Sequence, residues 1–504
     1  LNYEKDLFKN HKLGATLVYT EEYWDERSLS GSRLNRLYPN ILQISAADPT
    51  TQTVSGSSSA EGLRAYIGRF NYNISDKYLF EATTRYDGSS KFSDGNRYGI
   101  FPSISAGWRF SEESFFKPLQ NIITSGKIRM SWGSLGNNSG VGRYEQRNTY
   151  QFTPYINNGS IVKGFSYSKM INPDFSWEST EVLNAGLQFG ILNNLFTAEF
   201  DYYDRLTRGM IRPSDFSAFL TGYTPPRVNV GNLRNRGIEA NLGFNKKIGQ
   251  VLVNLLGNFS YNVNNLEEWN EYLSPGNRFL NMPYQFVYSN VSNGIAQNWN
   301  DVYNNPYQAN FTAPGDLLIK DTNGDGRITS ADRVAFENKM QNAPTVNSSL
   351  NYNMSWKGFD FSALIIGTLG RFDYWSDNLN TLSPRDTRFN FSELHYDTWD
   401  YYNKGASLPR LTISTGDDGG NNGGENTFFL QDRSYLRLKN IQLGYTLPTK
   451  VSKKLFLGRC RFFLTADNVF TATKWKGIDP EKDTSGSDFY PLLKTYAFGL
   501  NIDL

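Results

Sequence analysis

Histidine and cysteine are nearly missing from this 504-residue chain, which holds two of the first and one of the second. His11 and His395 are isolated, so neither a catalytic triad nor a histidine metal set can be assembled. Cys460 stands alone and can form no internal disulfide. No stretch of eighteen apolar residues exists, which excludes a transmembrane helix but not a membrane barrel, whose apolar residues are spread one in two. Net charge is +2 with no basic run, so nucleic acid is not an expected partner. The acidic pairs Glu112-Glu113 and Glu267-Glu268 are sequence neighbours whose side chains point apart in a strand, which leaves paired acid/base chemistry unsupported. The glycine-rich run Gly416–Gly424 lacks the lysine and following helix of a phosphate loop and reads as a loop tip. None of this points to an enzyme.

What the chain has is aromatic side chains, 31 Tyr and 35 Phe, and 44 glycines, in a sequence whose average residue is polar. These are distributed with a period of two. Tyr496, Phe498, Leu500, Ile502 and Leu504 share one face, against Ala497, Gly499, Asn501 and Asp503 on the other. Leu350, Tyr352, Met354 and Trp356 alternate with Asn351, Asn353 and Ser355, and Ile104, Ala106, Trp108 and Phe110 with Ser105, Gly107 and Arg109. The polar rows carry charges such as Glu81, Arg85, Arg129, Glu199 and Asp201. A wall with hydrocarbon on one side and water on the other demands this pattern.

Alternation alone does not say which face points where; the connections do. Short ones (Ser75-Asp76, Asn193-Asn194, Asn245–Gln250, Lys357-Gly358) alternate with long ones at about 25–60, 137–177, 209–234, 266–343 and 372–433. Antiparallel outer-membrane barrels keep short turns in the periplasm and long loops outside. The expectation is an all-β, antiparallel transmembrane barrel wall spanning 1–504, with about fourteen or fifteen strands of roughly nine to fourteen residues. Tyr78, Tyr86, Trp108, Trp132, Tyr202, Tyr203, Trp356 and Tyr445 lie near strand ends, as interfacial girdles require, although strand propensity also favours such residues. The chain opens at Leu1, and alternation begins at Leu13, Ala15, Leu17 and Tyr19, so it is expected to be the C-terminal part of a longer barrel chain.

Several segments, in order, resemble the barrel of SusC/RagA-type TonB-dependent transporters of Bacteroidota. They include YLFEATTRYDGSSKF (Tyr78–Phe92), RYGIFPSISAGWRF (Arg97–Phe110), NPDFSWESTEVLNAG (Asn172–Gly186) and NVGNLRNRGIE (Asn229–Glu239). The series continues with DLLIKDTNGDGRITSADR (Asp316–Arg333), SYLRLKNIQLGYTLP (Ser434–Pro448) and DNVFTATKWKGIDPE (Asp467–Glu481), and the chain ends TYAFGLNIDL. The resemblance implies a 22-stranded barrel around a plug domain, energised by TonB and covered by a SusD-like surface lipoprotein. It implies import of an oligosaccharide, more than a peptide, across the outer membrane. The plug, the TonB box and about seven strands of the family pattern have no counterpart here. The family usually ends in an aromatic; this chain ends in Leu504, with Phe498 in the alternating row. A passive porin or adhesin-type barrel, and a soluble surface glycan-binding β protein, are the alternatives.

Two groups of residues are candidate sites. In DTNGDGRITSAD, Asp321, Asn323 and Asp325 place side-chain oxygens at positions one, three and five of an EF-hand-like loop, with Gly326 at six. The Arg327 carbonyl stands at seven, and Asp332 replaces the usual Glu at twelve. The expected ligand is Ca²⁺, the alternative an Asp/Asn/Gly turn without metal. Aromatics of the long loops, Trp299, Tyr303, Tyr307, Tyr374, Trp375, Trp399, Tyr401 and Tyr402, could stack on sugar rings, pack among themselves or meet the lid protein.

Overall fold

The structure is a computed structural model. It describes residues 1–504 except 9, 37, 39, 215–221, 270–279, 309–310, 342–343, 376–392, 412–421, 423–424, 478, 482–491 and 504. Gly416–Gly424 therefore lie outside the described residues, Asn422 excepted.

Among the described residues fifteen strands form one sheet in strict chain order. They are β1 (Asn2–Phe8), β2 (His11–Ser32), β3 (Thr53–Ile74), β4 (Tyr78–Ser89), β5 (Tyr98–Trp108), β6 (Ile123–Asn137), β7 (Glu178–Ile191) and β8 (Phe196–Arg208). The remainder are β9 (Asn232–Ile248), β10 (Val251–Glu268), β11 (Val346–Trp356), β12 (Phe359–Leu369), β13 (Tyr435–Thr446), β14 (Arg459–Thr473) and β15 (Thr495–Asp503). Every neighbouring pair is antiparallel, and among the described residues β1 and β15 do not pair with each other. Among the described residues no helix is long and apolar enough to cross a membrane.

Tight turns at one end of the sheet fix the register. Ser75 and Asp76 between β3 and β4, and Lys357 and Gly358 between β11 and β12, all have positive φ, the geometry whose twist matches that of paired strands. All the long connections leave the opposite end. Once register is set, the period of two carries one row of side chains across many strands. Ile128, Leu187, Phe200 and Ala240 are successive partners, as are Met354, Phe361, Leu443, Leu464 and Phe498.

These greasy rows are not buried between stacked sheets. Phe498 is 67% exposed and Ile104 57%. On β8, Asp201 is only 8% exposed, while its neighbours Phe200 and Tyr202 are at 44% and 43%. The polar row thus crowds onto the concave side and the apolar row splays outward. The belt has edges: on β9 it runs from Ile238 to Phe244, with Arg236 beyond one end, bonded to Asp204 at 3.0 Å, and Lys246 beyond the other. An apolar outer belt bounded by charge is the surface that hydrocarbon solvates.

Two expectations need correction. The segment 25–60 is not all loop, because β2 and β3 each run 22 residues and pair as far as Ser32 and Thr53. Hydroxyl pairs Ser28–Ser57, Ser30–Ser55 and Ser32–Thr53 at 2.7–2.8 Å zip this extension together. Tyr203 is not a girdle residue. Its neighbour Tyr202 occupies the outer row, so Tyr203 turns inward and donates to Asn262 Oδ1 at 3.1 Å.

The long connections carry structure of their own. The strands Phe286–Ser289, Val334–Gln341, Arg371–Tyr374 and Leu430–Asp432 form a four-stranded sheet. Around it, Val287 and Leu317 from the β10–β11 connection meet Tyr374, Trp375, Leu408 and Phe429 from β12–β13 and Trp475 from β14–β15. Three connections thus share one apolar core.

Candidate functional site

The inner face of the sheet divides into two sectors. From β3 to β8 it is ionic. Arg69 on β3 bonds Glu81 on β4 at 2.6 Å, and Arg129 on β6 bonds Glu199 and Asp201, both on β8, at 2.5 and 2.6 Å. The latter contact skips a strand. Gly186 of β7 is the register partner of both Arg129 and Asp201, and a Cβ there would lie 2.5 Å from each side chain. Arg461 on β14 reaches Asp360 on β12 in the same way at 2.9 Å, over Gly444 of β13. A concavity of about 410 Å³ opens on this sector, lined by Asn71, Glu81, Lys127, Arg129, Ser131 and Asn184 among others.

Over most of β10 to β12 the wall is neutral. Val251–Leu266, Val346–Trp356 and Phe361–Leu369 contain no charged residue. Their inner row pairs Asn254 with Asn353, Asn258 with Ser349 and Ser260 with Asn347. Asn258 donates to Ser349 Oγ at 3.0 Å and Asn353 to Asn351 Oδ1 at 3.1 Å, with Leu256 and Leu364 interspersed. Amide and hydroxyl groups at this spacing can give and take hydrogen bonds from a neutral polar ligand.

The EF-hand-like loop folds as a self-bonded turn. Asp321 accepts from the N–H groups of Gly324 (2.7 Å) and Gly326 (2.9 Å), and Asp325 from Arg327 N–H (2.8 Å). Asn323 Oδ1 accepts from Asp325 N–H at 2.9 Å. Asp332 is fully buried and accepts from Thr322 N–H (3.0 Å) and Thr329 N–H (2.7 Å). Burial alone would raise its pKa, but the backbone donors of Thr329, Thr322 and Asn323 outweigh it and hold the carboxyl below the usual range. Among the described residues no three His, Cys, Asp or Glu side chains form a ready metal cluster. Gly324 and Gly326 both have positive φ, which is why this turn takes glycine there.

The aromatic candidates separate into two kinds. Trp375 and Trp399 are 5% and 4% exposed, and Tyr374 is buried beside them. Trp375 and Tyr374 belong to the shared loop core, and Trp399 Nε1 donates to Gln297 Oε1 at 3.0 Å. As stacking platforms these rings are corrected to structural ones. Trp299 and Tyr303 lie on one exposed face of the short helix Trp299–Asn304, stacked 5.8 Å apart, and Tyr307, Tyr401 and Tyr402 are also exposed. The Gln297–Trp399 bond ties the segments bearing Trp299 and Tyr401 together, a relation across 102 residues with no sequence signal. Sequence reasoning also missed buried Arg437, which bonds Asp479 at 2.8 Å and Glu481 at 2.5 Å and pins the last long connection to β13. His11 bonds Tyr72 Oη at 2.8 Å.

The family model described as TonB dependent receptor-like, beta-barrel, matches residues 1–363. The chain belongs to this family of TonB-dependent receptor barrels. It is an outer-membrane β-barrel chain of a receptor and transporter family, not of an enzyme family. The TonB-dependent receptor SusC of Bacteroides thetaiotaomicron is 30% identical over 462 residues, covering 87% of this chain and 43% of that one. The TonB-dependent receptor P3 of Formosa agariphila is 27% identical over 537 residues, covering 100% of this chain and 51% of its own. The solved RagAB peptide transporter superposes with a TM-score of 0.81 at 23% identity, over 99% of this chain and 54% of that chain. The TonB-dependent receptor barrel described here thus spans about half the length of the relatives it matches. With an exposed apolar belt in an outer-membrane family, the soluble alternative falls away.

Proposed function

We propose that this chain forms the greater part of the barrel wall of a TonB-dependent importer, and that its cargo is a neutral polar nutrient, an oligosaccharide more than a peptide. The observation that carries the cargo class is the charge-free stretch of inner wall made by Val251–Leu266, Val346–Trp356 and Phe361–Leu369, with its paired asparagines and serines. Sugar hydroxyls are matched by such amides, whereas a wall passing charged peptides or anionic chelates gains from fixed charge. The exposed Trp299–Tyr303 pair among the outer loops offers ring faces for capture. In this reading a plug domain docks against the ionic sector, TonB pulls on it, and a SusD-like lipoprotein covers the outer loops.

The test is to purify the full-length protein in detergent with any associated lipoprotein, and to offer mixed neutral oligosaccharides and mixed peptides, with bound ligand read by native mass spectrometry. Retention of oligosaccharide, and uptake that stops when TonB is removed, is the expected result. Retention of peptides alone overturns the cargo class. Uptake indifferent to TonB favours the passive porin.

We also propose that the Asp321–Asp332 turn takes Ca²⁺ through Asp321, Asn323, Asp325, the Arg327 carbonyl and Asp332, stiffening an outer loop. Affinity on the order of 10⁻⁴–10⁻³ M is expected, as in extracellular modules. Terbium luminescence from the wild type, lost in Asp321→Ala, supports this; an equal signal from both refutes it.

A further inference from the structure

Three adjacent connections at the short-turn end of the sheet, β9–β10, β11–β12 and β13–β14, share a composition that the transport reading does not use. The end of β9 carries Lys246 and Lys247, the β11–β12 turn Lys357, and the β13–β14 connection Lys450, Lys453 and Lys454, and residues 246–250, 357–358 and 447–458 hold not one acidic residue. All six are exposed, and among the described residues none pairs with a carboxylate. The acids on adjoining strands are otherwise placed: Asp360 is held on the inner face by Arg461, and Asp503 is the register partner of Arg459.

The same rim exposes large apolar side chains. Ile248, Trp356, Phe359 and Leu455 are each about half exposed, and Phe456 is 94% exposed. Phe456 also sits at φ +60°, a conformation costly for an aromatic residue, with its ring almost wholly out of contact with the protein. Lys357 lies 5.5 Å over the Trp356 ring, and Trp356 stacks on Phe359. These rings continue the outer apolar row directly, since Phe359 pairs with Tyr445, which pairs with Phe462. The rim is therefore the lower margin of the lipid-facing belt, where aromatic rings sit at headgroup level and lysine stems extend along apolar surface to place their ammonium groups in the polar layer.

We propose that this lysine-and-aromatic rim binds the anionic phospholipid headgroups of the periplasmic leaflet. Charge complementarity and continuity with the belt select that occupant: the phosphate layer begins where the apolar row ends, and the lysines stand at that depth. Phe456 and Leu455 enter the acyl boundary, while Lys450, Lys453 and Lys454 of the short helix Thr449–Lys454 meet phosphates.

The test uses the full-length protein in detergent, with added phosphatidylglycerol or phosphatidylethanolamine, and native mass spectrometry to count retained lipids. Each lysine near an anionic surface contributes roughly fivefold in partition at low salt. The wild type is expected to retain phosphatidylglycerol in preference, and K450Q/K453Q/K454Q to lose roughly tenfold or more of that preference. Should the triple variant fail to give the heat-modifiable folded band, K357Q alone, with a salt titration of the wild type, serves instead; preference should then fall in the variant and fade as salt rises. Equal retention of the two lipids by the wild type, or an unchanged preference in the variants, overturns the proposal. So does capture of soluble polyglutamate without a preference for phosphatidylglycerol, which would make the rim a site for an acidic protein.

Discussion

Arg129 and Asp201 are bonded across an intervening strand, 2.6 Å apart above Gly186. The barrel wall is thus tied between strands that share no backbone hydrogen bonds, and the tie exists because one residue in between has no side chain.

That arrangement reverses the usual effect of a glycine replacement. In an ordinary strand Gly→Ala is stabilising by some tenths of a kcal/mol to ~1 kcal/mol. Gly186→Ala instead sets a methyl 2.5 Å from both partners and strips the nearly buried Asp201 of its cation. A loss of roughly 1–3 kcal/mol is expected, read as a lower temperature for the heat-modified gel shift.

Charge placement should discriminate the two faces of one strand. Leu350→Lys puts an ammonium on the lipid-facing row of β11 and should cost ~2–4 kcal/mol, reducing assembled protein in the outer membrane. Ser349→Lys, one residue away on the inner row, should assemble as the wild type does. Equal effects of the two would refute the assignment of faces.

Acid should loosen the Asp321–Asp332 turn before the barrel. Asp332 has its pKa depressed in the folded state, so its contribution is complete above the ordinary aspartate value of about 3.9 and is lost as pH falls through the lower, folded value. Amide exchange at Thr322 and Thr329, corrected for intrinsic rate, should accelerate below that window while β10 and β11 stay protected. Asp332→Asn should show the fast exchange already at neutral pH.

The two kinds of loop tryptophan should respond differently to truncation. Trp375→Ala removes a core ring and should destabilise the outer body by ~3–5 kcal/mol, seen as new protease cleavage in the β12–β13 connection. Trp299→Ala should leave proteolysis unchanged and weaken ligand retention.

The alternation was legible in the sequence because a strand's side-chain period is two whatever surrounds it, and the direction of the faces followed from loop lengths. The tall β2–β3 hairpin was not legible. Ser28–Ser32 is a serine- and glycine-rich stretch that reads as loop, and it becomes strand only when Ser55, Ser57 and Thr53 stand opposite. Nor could the sequence tell Trp375 from Trp299. Both are loop aromatics, and the difference lies in Val287, Leu317 and Trp475 arriving from other connections to cover one of them. Long-range packing took Trp375 and Trp399 out of the exposed loop surface, whereas the wall is built from neighbouring strands and needs only local register.

Because Val287, Leu408 and Trp475 come from three separate connections yet fill the same interior, the outer loops cannot be exchanged one at a time. A transplanted segment would leave its two companions with uncovered apolar side chains. On the importer reading proposed above, new cargo preferences arise by replacing residues on the skin of that joint body, or by inheriting all three segments together.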